Sequence, residues 1–216
     1  RRLMSHLRGM TRAAVFFCLL TMLAGPAVAQ VTGPVPPAAE GAPPAANPTP
    51  PSLASERARR LDELYSRLRD ASGPQQARAL EAQITMVLAQ SGSPTADLLM
   101  VRAQQAMQQR QADLALSLLD AVVDMYPDYV EAWSRRATLY FARRELGRAM
   151  TDIENVLRLE PRHFGAMVGL GMMLQQLGQD KQALAAFKKA MEINPHIERV
   201  PQIIQRLSPK VDGVEL

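Results

Sequence analysis

From Leu53 onward, apolar residues recur at helical spacing. Leu61, Leu64, Tyr65 and Leu68 fall at i, i+3, i+4 and i+7, which is one face of a helix. Ser72-Gly73-Pro74 interrupts the pattern, and Ala77, Leu80, Ile84, Val87 and Leu88 resume it on a second helix. Ser91-Gly92-Ser93-Pro94 interrupts again, with Ser93 expected as an N-cap and Pro94 as the first helical residue. No later segment alternates apolar and polar residues, and β-branched clusters are absent. The pattern predicts an all-α body.

Within that body the chain repeats itself. A shift of 34 residues aligns residues 96–197 as three units, 96–129, 130–163 and 164–197. Small residues align at Ala103/Ala137/Gly171 and Ala115/Ala149/Ala183, where two antiparallel helices can approach closely. Larger ones align at Leu99/Trp133/Met167 and Leu119/Ile153/Phe187, and a mixed column reads Ala106/Tyr140/Leu174. Each unit ends on a proline, Pro127, Pro161 or Pro195, which lacks an amide hydrogen and disfavours a helical residue before it. The period and these columns resemble the tetratricopeptide repeat (TPR) family. One column departs from it: Arg102 and Arg136 stand where the third unit has Leu170 and the family usually has an apolar residue. Either their stems run along the core to place the guanidinium at its edge, or packing is looser there.

The resemblance implies a right-handed solenoid of helical hairpins. Residues 53–95 then form a degenerate hairpin capping the first repeat. Residues 198–216 form a capping helix and tail, suggested by Ile197, Val200, Ile203, Ile204 and Leu207. The first helix of each pair would line a concave groove. Its columns are Asp97/Glu131/Gly165, Met100/Ser134/Val168, Val101/Arg135/Gly169, Gln104/Thr138/Met172 and Met107/Phe141/Gln175. Met100, Met107, Phe141 and Met172 would make a soft apolar floor for a partner helix or extended peptide. Packing between helices is the competing account of the same residues. A clamp of Lys and Asn for a C-terminal carboxylate is not expected. The asparagines (Asn47, Asn155, Asn194) miss the groove columns, and every lysine lies at or beyond Lys181.

Before Leu53 the pattern changes. A basic stretch, Arg1 to Arg12, precedes an apolar run from Ala13 to Ala24, then Gly25-Pro26 and Ala27-Val28-Ala29. This is the layout of a secretory signal peptide, residues 1–29, with cleavage after Ala29. The run is about 12 residues against the roughly 20 that span a bilayer, so no stable membrane insertion of the mature chain is expected. Residues 30–52 hold eight of the sixteen prolines and one charge, Glu40, and read as a disordered Pro/Ala-rich linker.

Charge then changes meaning. The net +4 rests on 25 basic and 21 acidic residues. Residues 1–30 carry four arginines and no acid, so the rest has 21 of each sign. Bulk charge therefore gives no case for nucleic-acid binding. The cluster Arg135, Arg136, Arg143, Arg144 and Arg148 is interleaved with Asp128, Glu131 and Glu145, as on a solvated face with helix-surface ion pairs. The single cysteine, Cys18, excludes a disulfide or thiolate metal site in the body. His163 and His196 fall in inter-repeat loops, and no nucleophile elbow, zinc-binding or phosphate-loop motif is present. Asp120, Asp124 and Asp128 lack the glycine turn and terminal glutamate of a calcium loop. No catalytic residue, metal or cofactor is expected. The sequence predicts a periplasmic scaffold that holds a peptide or helix of a cell-envelope protein, or alternatively a self-associating structural subunit.

Overall fold

A computed structural model describes residues 52–213. The signal-peptide and linker expectations for residues 1–29 and 30–51 lie outside this range, as does the tail at 214–216. The described residues form α1 (Leu53–Arg69), α2 (Pro74–Leu88), α3 (Pro94–Gln108), α4 (Ala112–Met125) and α5 (Val130–Ala142). They continue with α6 (Leu146–Leu159), α7 (Phe164–Gln176), α8 (Asp180–Ile193) and α9 (Val200–Asp212), and contain no strand. The all-α helical-hairpin solenoid follows: α3–α4, α5–α6 and α7–α8 are the three pairs, and α4 packs on α5, α6 on α7 and α8 on α9.

Local chemistry sets the ends of these helices. Ser93 Oγ accepts from the Ala96 amide at 3.4 Å, capping α3 ahead of Pro94. Within each pair the chain turns through one left-handed residue, at Arg110 (φ 59°), Arg144 (φ 60°) and Gly178 (φ 73°). The following amide reaches back five residues: Gln111 to Ala106 O, Glu145 to Tyr140 O and Gln179 to Leu174 O, at 2.8, 2.9 and 2.9 Å. These close the first helix with its orphan carbonyls satisfied. Between pairs, Tyr126, Glu160 and Asn194 leave the helical region (φ −133°, −135° and −131°) just before the three prolines.

The small-residue columns sit at the helix crossings. Ala103, Ala115, Ala149 and Ala183 are fully buried. Gly171 is the tightest of these positions, since a Cβ there would lie 2.7 Å from Phe187 Cε1. Leu119, Val122, Val156 and Phe187 fill the core beside them. At the far end, buried Val200 and Leu207 seat α9 against α8.

The hairpin α1–α2 does not cap the first repeat as expected. It lies along the edge of the stack formed by the inter-repeat turns, and α1 packs against α8. Leu61, Leu64, Tyr65, Leu68, Leu80 and Ile84 are buried there in one cluster with residues of α5, α6 and α7, and Leu159 and Ile193 pack against it. Each successive turn reaches the hairpin through polar contacts, the third through Asn194 and Glu198 as well as His196. Tyr129 Oη donates to Ala89 O at 2.7 Å, Arg162 Nη1 to Asp62 Oδ1 at 2.6 Å, and His196 Nε2 lies 2.9 Å from Ala71 O. Arg162 also lies over the Tyr65 ring, 4.6 Å from its centroid. A helix rises about 1.5 Å per residue, so α1 runs past neighbouring repeats in order and meets them in turn.

Candidate interaction groove

The first helices of the pairs, α3, α5 and α7, present the expected groove columns, and α5 also packs on α7. Between α3 and α5 an open cleft of about 350 Å³ is lined by Asp97, Val101, Gln104, Gln108, Tyr129 and Arg135, with Ala89 from the end of α2 as one wall. Arg135 braces it. Its Nε donates to Glu131 Oε1 at 2.8 Å and its Nη1 to Gln104 Oε1 at 2.6 Å, so one guanidinium ties the two helices. Desolvation pushes the Tyr129 phenol up to about 12, with Glu131 and Asp97 adding and Arg135 and Arg57 opposing. The hydroxyl therefore stays a neutral donor to Ala89 O. The cleft offers amides, one braced cation and an apolar Val101, a surface for hydrogen bonds and contact area rather than for bond-making chemistry.

The predicted groove residues divide by exposure. Asp97, Thr138 and Met172 are exposed. Gln104, Met107, Glu131, Ser134, Arg135, Phe141, Val168 and Gln175 are half-buried. Thr138 Oγ1 is turned back to Ser134 O at 2.9 Å. The continuous apolar floor is not formed. Met100 is 5% exposed and belongs to the core of the first repeat. Phe141 and Met107 pack against core clusters, which leaves Met172, 41% exposed, as the one open member of the four.

Other expectations also change. Arg136 is neither loosely packed nor on a solvated face: it pairs with buried Asp152 and with Asp120. Arg135, Arg143 and Arg148 do carry helix-surface ion pairs, to Glu131, to Asp113 and Glu145, and to Glu145. His163 Nδ1 accepts from the Ala166 amide at 3.0 Å and caps α7. The sequence reading missed Tyr129 and Ala89 as cleft walls, because Ala89 comes from outside the repeats and no periodic signal joins it to them. A larger cavity of about 640 Å³ between the start of α1 and the end of α2 is the splayed end of that hairpin, beside exposed Leu53 and Met86. Among the described residues no group of three or more His, Cys, Asp or Glu is arranged to hold a metal ion, and no helix is long and apolar enough to cross a membrane.

Comparison with known proteins agrees with this geometry. The tetratricopeptide repeat model matches residues 100–155 and 135–196. The first TPR domain of Spaghetti (RPAP3), solved bound to the HSP90 peptide SRMEEVD, is similar with a TM-score of 0.53 at 18% identity, over 56% of this chain and 96% of that one. The Sgt2 TPR domain from Aspergillus fumigatus gives a TM-score of 0.51 at 22% identity, over 56% of this chain and 81% of that one. At such identities these two show the fold. A TPR repeat-containing protein of Rhizobium etli is 36% identical over 162 residues, 75% of this chain and 79% of that protein. With that relative matched along most of its length and the repeat pairs in place, the chain belongs to the tetratricopeptide repeat family.

Proposed function

We propose that this protein is an exported protein-interaction scaffold that holds a peptide or helix of a cell-envelope partner in its groove. The observation that carries the reading is the open cleft between α3 and α5, with its unspent amides at Gln105 and Gln108 and its braced Arg135. An extended peptide has a backbone donor and acceptor at every residue, which such amides can meet without a fixed side-chain sequence. The similar RPAP3 domain was solved with a peptide bound, which supports a peptide as the class of partner. Its peptide is acidic at several positions, whereas the groove here carries Asp97 and a cation already engaged by Glu131, so a less acidic ligand fits better. Export rests on the basic, apolar and Ala-x-Ala order of residues 1–29 and makes the periplasm the compartment.

A photo-crosslinking residue placed at Gln108 or Thr138 in cells, with one at Thr151 on α6 as the control, tests the groove. The expected result is a discrete adduct from the groove positions alone. Equal labelling from all three, or from none, overturns the reading. Intact mass of protein isolated from its host tests export, and a chain that retains residues 13–24 refutes it.

A further inference from the structure

The 34-residue register compares three helices that hold one place in successive repeats. In α5 the residues Ala132 and Leu139, and in α7 the residues Ala166 and Met173, are buried, because the second helix of the preceding repeat packs on them. The same positions in α3 are Leu98 and Gln105. Both are exposed, and Leu98 and neighbouring Val101 each show 54% of their surface. Among the described residues nothing covers this end, since α1–α2 is laid along the turns instead. A solenoid end normally carries a polar outer face. This one presents two bare aliphatic residues.

The register also exposes an unanswered charge. Arg136 of α5 is met by Asp120 from the preceding repeat at 2.8 Å and by Asp152 from its own repeat at 2.8 Å. Arg102 holds the same place in α3. The counterpart of Asp152 there is Leu118, and no preceding repeat supplies the counterpart of Asp120. Arg102 is exposed and makes no ion pair among the described residues.

We propose that this open end of the repeat stack docks an amphipathic helix of a partner protein, which takes on α3 the seat that α4 takes on α5 and sets a carboxylate against Arg102. Leu98 and Val101 supply the apolar contact, which is not directional. The acid on Arg102 fixes the register of the incoming helix and disfavours a basic one. A second copy stacked head to tail is a poorer occupant, because α9 covers the other end of the stack with Val200 and Leu207 buried. The surface shares Val101 and Gln105 with the groove, whereas Leu98 and Arg102 lie outside it, so changes at those two test the end without touching the groove.

The probe is a synthetic peptide of residues 112–126, the sequence of α4, titrated into the full chain and followed by amide chemical shifts. The expected result is saturable binding with the largest shifts at Leu98 and Arg102, which lie outside the groove. Asp120→Ala in the peptide should weaken it at least tenfold. So should Arg102→Glu in the protein, and an Asp120→Arg peptide should restore binding to that variant. Leu98 and Arg102 are exposed, so the variant should melt like the parent, and the peptide change needs no refolding of the protein at all. Affinity indifferent to Asp120, shifts confined to Thr138 and Met172 in the groove, or no binding overturns the proposal. So does a dimer in sedimentation that Leu98→Asp dissociates, which would give the face to a second copy.

Discussion

Arg136 and Asp152 meet as a two-pronged pair, with Nε 2.9 Å from Oδ2 and Nη2 2.8 Å from Oδ1. The remaining prong, Nη1, donates to Asp120 Oδ1 at 2.8 Å, and the guanidinium lies 4.9 Å from the centre of the Trp133 ring. One side chain thus ties α4, α5 and α6. The hydrogen bonds that Arg136 donates to Asp152 are the main cause of a guanidinium pKa held above its ordinary value, against the cost of burial. Asp152 is 2% exposed, so the pair is shielded from water. Asp152→Ala should cost about 3 kcal/mol, at the lower end for breaking a buried pair because Arg136 keeps Asp120. Asp120→Ala should cost under about 1 kcal/mol, as its side chain is half exposed. Urea melts that show equal losses would contradict this division.

The helix turn inside each repeat needs a residue at positive φ, and only the third repeat uses glycine. Arg144 at φ 60° bears the crowding of its own Cβ that Gly178 avoids. It makes no ion pair among the described residues. Arg144→Gly should therefore stabilise the fold by about 0.5–1 kcal/mol, the relief of strain exceeding the extra chain entropy. The check is a thermal midpoint a few degrees higher. A lower midpoint would mean that the arginine side chain contributes more than its backbone strain costs.

Gly171 and Gly169 look alike in sequence and should behave oppositely. A Cβ on Gly171 would press into the Phe187 ring, with three ring carbons within 2.9 Å. On Gly169 it would meet only Ile153 Cδ1, at 3.8 Å. Gly171→Ala should cost about 1–3 kcal/mol through overpacking. Gly169→Ala should gain up to about 1 kcal/mol from helix propensity. Equilibrium unfolding of the two single variants reads the difference directly.

His163 links stability to pH. Burial lowers its pKa below the ordinary 6.5, opposed by Glu131 and Glu160. Its neutral Nδ1 accepts the Ala166 amide, which a protonated ring could not do. The unfolded chain therefore binds the proton more readily. The contribution is present above pH 6.5 and is lost as pH falls toward the depressed folded value. His163→Asn keeps a capping oxygen but does not titrate. The urea midpoint of the parent should fall relative to this variant between about pH 7 and pH 5, and parallel curves would refute the linkage.

The solenoid was legible in the chain because its determinants are local and repeated. Prolines stop helices where they stand, small residues mark close crossings, and a 34-residue period states the stacking unit three times over. The groove columns were legible for the same reason, since helical spacing alone says which positions share a face. Spacing does not say what covers that face. Met100 and Phe141 share the groove's columns, yet neighbouring helices bury Met100 and half-cover Phe141. The Leu61–Leu68 stripe announced an apolar face without revealing that its cover is the row of inter-repeat turns, which lie far away along the chain. Arg136 read as an exception to the repeat until Asp152 and Asp120 were seen beside it, because partners 16 residues apart on different helices leave no periodic trace. Local propensity and period determined the helices and their pairing. Long-range burial and charge pairing, which depend on three-dimensional neighbours, decided the seat of α1–α2, the depth of the groove and the open end of the stack.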